Sequence, residues 1–150
     1  MLFRSRGGTG GLDLYETTRA SLTAPFDPPR ELAELDSPQD DATGSLSPDG
    51  LEIFFGSIRA GGLGGQDIYT ARRPSLDQPF SSPTRLTQLS SPMDDVSPRI
   101  ASDNQTLYFE YDTSTSGGGD ADIWISTRRV SRPRRCRAPR SRPPCRGARR

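Results

Sequence analysis

The chain repeats itself about every 54 residues, and that period restricts its fold more than any other property. Asp13-Leu14-Tyr15 returns as Asp67-Ile68-Tyr69 and again as Asp122-Ile123-Trp124, at offsets of 54 and 55. The offset of 54 also carries Pro25-Phe26 onto Pro79-Phe80, Leu32 onto Leu86, Leu35 onto Leu89, and Ser37-Pro38 onto Ser91-Pro92. Asp40-Asp41 maps onto Asp94-Asp95 in the same way, Asp49 onto Asp103, and Ile53 and Phe55 onto Leu107 and Phe109. A unit of this size cannot bury its apolar face alone, so neighbouring units must stack or arrange themselves radially.

Within the period, short apolar or alternating runs bounded by turn residues predict strands. The middle copy predicts four: Thr43 to Ser47, Leu51 to Ser57, Gln66 to Arg72, and Thr84 to Leu89. Ser47-Pro48-Asp49-Gly50 joins the first two: Pro presets the backbone, Asp bonds its own backbone, and Gly accepts dihedrals that other residues avoid. Gly61-Gly62-Leu63-Gly64-Gly65 turns between the two central strands. The first copy predicts strands near Leu2 to Arg4, Leu12 to Thr18 and Arg30 to Leu35, without an opening strand. The third predicts Ser97 to Ala101, Thr106 to Asp112 and Ala121 to Thr127. Its fourth strand falls due at positions 138–144, where Ala-Pro-Arg-Ser-Arg-Pro-Pro cannot supply an interior strand. Three, four and three strands are expected, about ten in all.

A four-stranded antiparallel unit of this length describes a β-propeller blade, and propellers close with 4–8 blades. The fold class expected is therefore all-β: a propeller fragment with one complete four-stranded blade flanked by two three-stranded partial blades. A sandwich would not explain the long period, and solenoid rungs are shorter.

Charge divides the chain into two parts. Residues 1–128 hold 19 acids and 10 arginines; residues 129–150 hold 10 arginines and no acid. Residues 1–128 form the partial propeller. Residues 129–150, rich in Arg and Pro with almost nothing to bury, are expected to be disordered, and their abrupt onset suggests a truncated, frame-shifted or fused end. Cys136 and Cys145 lie in this tail and form no Cys-x-x-Cys pair. No apolar run approaches 18 residues, so no membrane span is expected. Met1-Leu2-Phe3-Arg4 leads into charged and Gly-rich sequence without the apolar segment of a signal peptide.

Ser47-Pro48-Asp49-Gly50, then Ile53-Phe54-Phe55, the Gly61 to Gly65 loop and Asp67-Ile68-Tyr69 together resemble the WD-repeat-like propeller repeats of the TolB kind. The third copy is similar but departs in its turn, Ser102-Asp103-Asn104, and in its loop, Gly117-Gly118-Gly119. The resemblance covers residues 2–128. It implies a bacterial, exported (periplasmic or extracellular) binding or scaffolding module that engages a protein or polysaccharide partner through loops at one end. Such repeats also accompany hydrolases, and a propeller domain beside a hydrolase or lyase is the competing reading.

The repeated residues Asp13, Tyr15, Asp49, Gly50, Asp67, Tyr69, Asp103, Asp122 and Trp124 are read as a structural motif. Recurrence in every copy favours aspartates that accept hydrogen bonds from the Gly turn over ligand-binding acids. Tyr15, Tyr69 and Trp124 are expected to pack between blades rather than to stack nucleic-acid bases. The pairs Asp40-Asp41 and Asp94-Asp95 are expected on solvated loop faces rather than around a cation. Gly7 to Asp13 misses the calcium-binding nonapeptide pattern by one position and does not open a helix as a phosphate loop does.

Without histidine there is no Ser-His-Asp or Cys-His arrangement and no imidazole metal site. Carboxylates are plentiful, yet none stands out as a glycosidase pair. No catalytic residue, cofactor or metal is expected. Non-specific nucleic-acid binding through the ten tail arginines is a third reading, ranked last. Three blades cannot close a ring, so self-association through open blade edges is expected.

Overall fold

A computed structural model of the chain describes residues 2–5, 10–112 and 121–128. All regular structure among them is β. The strands are β1 (Leu2–Ser5), β2 (Asp13–Glu16), β3 (Arg30–Glu31), β4 (Asp41–Leu46), β5 (Glu52–Ser57), β6 (Asp67–Arg72), β7 (Thr84–Arg85), β8 (Asp95–Ile100), β9 (Thr106–Asp112) and β10 (Ala121–Thr127). They form three antiparallel sheets, ordered β1-β2-β3, β4-β5-β6-β7 and β10-β9-β8. Within each sheet every strand pairs with its neighbour in sequence, through a tight turn between β4 and β5 and between β8 and β9 and through longer connections elsewhere. None of the described residues forms a helix long and apolar enough to cross a membrane. Positions 138–144, where the sequence reading finds no fourth strand, lie outside the described residues, as do Cys136, Cys145 and Gly117 to Gly119.

The local chemistry of each unit explains its strands. Glu52 to Ser57, with Ile53 and two phenylalanines, is buried along its whole length as the central strand β5. Its register with β6 sets Phe55 opposite Tyr69 and Ser57 opposite Asp67. The turn into β5 closes with a hydrogen bond from the Gly50 amide to the Ser47 carbonyl, and Gly50 has φ of 71°, a left-handed conformation other residues resist. Asp49 Oδ1 accepts bonds from the Ser47 hydroxyl and the Leu51 amide. In the third unit Asn104 takes φ of 54° at the same point, and Asp103 caps the amides of Gln105 and Thr106.

Several strand boundaries differ from the sequence reading, and β2 holds Asp13–Glu16 where Leu12 to Thr18 is expected. The opening strands begin at Asp41 and Asp95, two residues earlier than Thr43 and Ser97. Thr43 and Ser97 instead sit in bulges at matching positions, where the β4–β5 and β8–β9 registers shift, with φ of 55° and 56°. The closing strands are also shorter than expected, since β3 and β7 hold two residues each and give way to turns. Leu35 N bonds Leu32 O and Leu89 N bonds Leu86 O, so this chain segment coils back instead of extending.

The sheets pack face to face in sequence order, and the opening strand of each lies against the preceding sheet. β4 touches β1 and β2, whereas β8 touches β4, β5 and β6. The core sits in the first junction, where Leu14, Leu32 and Leu35 meet Ile53, Phe55, Tyr69, Ala71 and Phe80. The second junction is looser. Leu32 and Leu35 are fully buried, while their counterparts Leu86 and Leu89 are not. A cavity of about 420 Å³ opens there, lined by Phe54, Leu86, Leu89, Ile100 and Leu107 among others.

Candidate functional site

The repeated glycines and aspartates form a latch between units. Leu12 N donates to Asp40 Oδ1 and Asp41 N donates to Leu12 O, at 2.9 and 2.6 Å. In the next unit Gln66 N donates to Asp94 Oδ1 and Asp95 N to Gln66 O, both at 2.7 Å. The acid approaches the loop so closely that a Cβ on Gly11 or Gly65 would collide with the Asp40 or Asp94 carboxylate. This approach explains why Gly-Gly and Asp-Asp recur together, with the latch spanning 28 residues in both units.

Asp41 and Asp95 depart from the expectation of a solvated loop face, whereas Asp94 is exposed as expected. Asp40 and Asp94 make the latch, and Asp41 and Asp95 are buried to 0 and 1% exposure. Their Oδ2 atoms accept the amides of Ser37 and Ser91, at 2.6 and 2.7 Å. Opening the strand two residues earlier turns the second acid of each pair into the interior.

Arg59 occupies the niche in front of Asp41. Its Nη2 donates to Asp41 Oδ1 at 2.6 Å and to the Leu35 carbonyl at 2.7 Å. Its Nε donates to Ser57 Oγ, and the guanidinium carbon lies 5.2 Å from the Phe55 ring centre and 4.9 Å from that of Tyr69. Charge, hydrogen bonding and cation–π attraction all converge on this one side chain.

The corresponding place in the second junction is a cleft of about 280 Å³, lined by Gln88, Leu89, Ser90, Ser91, Asp95, Phe109, Tyr111 and Trp124. Trp124 faces Phe109 across the strands and meets Tyr111 edge-on, with ring centres 5.7 Å apart. Burial raises the Asp95 carboxyl above its ordinary range, helped by the charges of Asp67 and Asp94 and opposed by hydrogen bonds from Ser91.

Beside the first niche lies an acidic group. Asp36 is pushed up to about 7 by burial, the side chain of Glu31 and the nearby charges of Asp13 and Asp41. The repeat is broken at these positions, since Glu31 becomes Arg85 and Asp36 becomes Ser90. Arg85 Nη1 lies 4.0 Å from Asp67 Oδ1.

At the opposite end of the strands, arginines tie each unit to the preceding one. Arg73 donates to Glu16 Oε1 and to the Gly50 carbonyl, with its guanidinium 4.4 Å from the Phe80 ring centre. Arg128 repeats the arrangement, donating to Glu52 and to the Asn104 carbonyl. Burial of Glu16 is outweighed by Arg30 and Arg73, which hold its carboxyl below the ordinary range.

Of the motif residues, Asp13 and Asp67 are fully buried, and Asp67 Oδ2 accepts the Leu63 amide of the Gly loop at 2.8 Å. Tyr15 is half-buried, Tyr69 is buried under Arg59, and Asp122 and Trp124 are exposed. Asp49, Gly50 and Asp103 shape turns. No single site gathers these residues. Sequence reasoning missed Arg59, which occurs in one unit alone, and the Arg73–Arg128 correspondence, visible at an offset of 55. The described residues contain no group of three or more side chains able to hold a metal. Compared with known proteins, the chain matches no family model and no curated protein.

Proposed function

We propose that the chain is a non-catalytic binding and scaffolding module: three consecutive β-propeller units of the TolB-like kind, with surfaces that engage further units and a protein or polysaccharide partner. Sequential up-and-down sheets support this reading, as does the opening strand of each packing on the sheet before it. Export to a periplasmic or extracellular compartment follows from the resemblance.

One observation carries the reading. Phe54 and Ile68 on β5 and β6 are 4 and 0% exposed. The residues at the same repeat positions in the third sheet, Tyr108 and Ile123, are 40 and 73% exposed, with Ile125 beside them at 62%. This face has the apolar character of one that receives another sheet, and apolar patches of this kind mark association surfaces. Further units, from a longer parent or from a second copy, would cover it.

Light scattering coupled to size-exclusion chromatography on the full chain tests the reading. A discrete dimer or trimer, reduced to monomer by Ile123→Glu, is expected. A monodisperse monomer with a sharp, concentration-independent melt would overturn it.

A further inference from the structure

The two junctions between sheets are built from the same repeat positions, and among the substitutions that distinguish them one removes a cation. In the first, the Arg59 guanidinium is bounded by the Leu35 carbonyl, Asp41 Oδ1 and the rings of Phe55 and Tyr69. The second presents the matching set: Leu89, Asp95, Phe109 and Trp124, all lining the 280 Å³ cleft. Phe109 stands opposite Trp124 as Phe55 stands opposite Tyr69. The residue 54 positions after Arg59 is Thr113, which carries no cation.

The carboxylate has kept its geometry without that cation. Asp95 Oδ2 accepts the Ser91 amide just as Asp41 Oδ2 accepts that of Ser37. Asp41 Oδ1 receives Arg59, whereas Asp95 Oδ1, in a side chain only 1% exposed, has no hydrogen-bond partner among the described residues. Leaving a buried carboxylate oxygen unsatisfied is costly, and a cation that enters and bonds it removes that cost.

We propose that the cleft beside Asp95 binds a guanidinium group, bonded to Asp95 Oδ1 and the Leu89 carbonyl and held against the rings of Phe109 and Trp124. The first junction is the internal precedent, since a carboxylate, a leucine carbonyl and two aromatic rings at the matching positions there enclose a guanidinium. A planar guanidinium donates along its edge while stacking on aromatic faces, and an ammonium cannot do both as well. Tyr111, in the place of Ser57, extends the aromatic wall. Asp67 and Asp94 add negative potential, and Arg85 Nη1 stands 4.0 Å from Asp67 Oδ1 without a hydrogen bond to it. The guanidinium comes either from the ten arginines of residues 129–150 or from an arginine-bearing ligand outside the chain. This site does not depend on further units completing the stack.

Trp124 is the sole tryptophan of the chain, so its fluorescence reads the cleft directly. The full chain is titrated with N-acetylarginine amide and, separately, with N-acetyllysine amide. The same titrations are run on a full-length variant in which all ten arginines of 129–150 are lysine. A saturable response in both proteins, at least tenfold stronger for the arginine compound, identifies an external ligand. The same response only in the lysine-tailed variant identifies the chain's own arginines as occupants. Asp95→Asn is expected to abolish binding with its circular dichroism unchanged. Should that variant lose its fold, acrylamide quenching of Trp124 in the responding protein locates the ligand, which shields the indole. No arginine response in either protein, an equal response to lysine, binding that survives in folded Asp95→Asn, or an unshielded indole overturns the proposal. Light scattering on the same samples separates this outcome from failure of the scaffold reading.

Discussion

Arg59 and Asp41 form a buried ion pair, with Nη2 and Oδ1 2.6 Å apart and side chains 15 and 0% exposed. The pair joins the start of β4 to the end of β5, and through the Leu35 carbonyl it ties the second unit to the first. Removing the arginine leaves a buried carboxylate without its counterion. Arg59→Ala is therefore expected to destabilise the chain by about 3 kcal/mol in urea unfolding. The Arg59→Ala/Asp41→Asn double variant should lose less than the two single losses together. Methylguanidinium at millimolar concentration should restore part of the stability of Arg59→Ala, and additive single losses would contradict the pairing.

Leu35 and Leu89 occupy one repeat position but differ in burial. Leu35 is fully buried in the first junction, and Leu89 lines both cavities of the second. Truncating a buried leucine costs the transfer free energy of the removed methyls plus that of the cavity left behind. Leu35→Ala should cost about 3 kcal/mol and Leu89→Ala about 1 kcal/mol. Differential scanning calorimetry of the two variants would show equal losses if the junctions were equally packed.

Asp36 makes stability depend on pH near neutrality. With its folded pKa pushed up to about 7, the folded chain binds this proton more tightly than the unfolded chain does. The stability it contributes is fully present below the ordinary carboxylate range and is lost as pH rises through about 7. Glu16 acts oppositely: held below its usual range, it contributes stability that is lost in acid. Asp36→Asn should stabilise the chain on the order of 1 kcal/mol at pH 8, after solvent screening, and flatten the profile between about pH 5 and 8. Urea unfolding across that range measures both effects, and an unchanged slope would remove Asp36 as the cause.

Gly65 and Asp94 meet at the second latch. A Cβ on Gly65 would lie 2.0 Å from Asp94 Oδ1, so the carboxylate must swing away and release the Gln66 amide. Gly65→Ala should lower stability by about 2 kcal/mol. Adding Asp94→Ala should remove most of the clash, so that the double variant is no worse than Asp94→Ala alone. Thermal unfolding monitored by circular dichroism reads both.

Much of the architecture was legible from spacing alone. The period of 54, the Ser-Pro-Asp-Gly turn and the Gly-rich loop mark off three units, and the three sheets of three, four and three strands follow them. Strands such as β9 and β10 start and stop where the turn residues place them. The inward turn of Asp41 and Asp95 was not legible, because a bulge one or two residues on reverses the simple reading of which side chain faces water. The role of Arg59 is not legible for a related reason. Repetition marks what every unit shares, and this arginine is what one unit has and the others lack.

The repeat, its strand order and its turns follow from the order of residues alone, because they rest on local dihedral preferences and on alternation along a strand. Packing between the units settles what each repeated position does. Ile68 and Ile123 carry the same side chain at the same place in the unit, yet one is sealed and the other is 73% exposed. Asp41 and Asp95 share one hydrogen-bonding frame, yet only Asp41 holds a guanidinium among the described residues. Burial and ion pairing depend on what stands across a junction, and that neighbour lies tens of residues away in the chain.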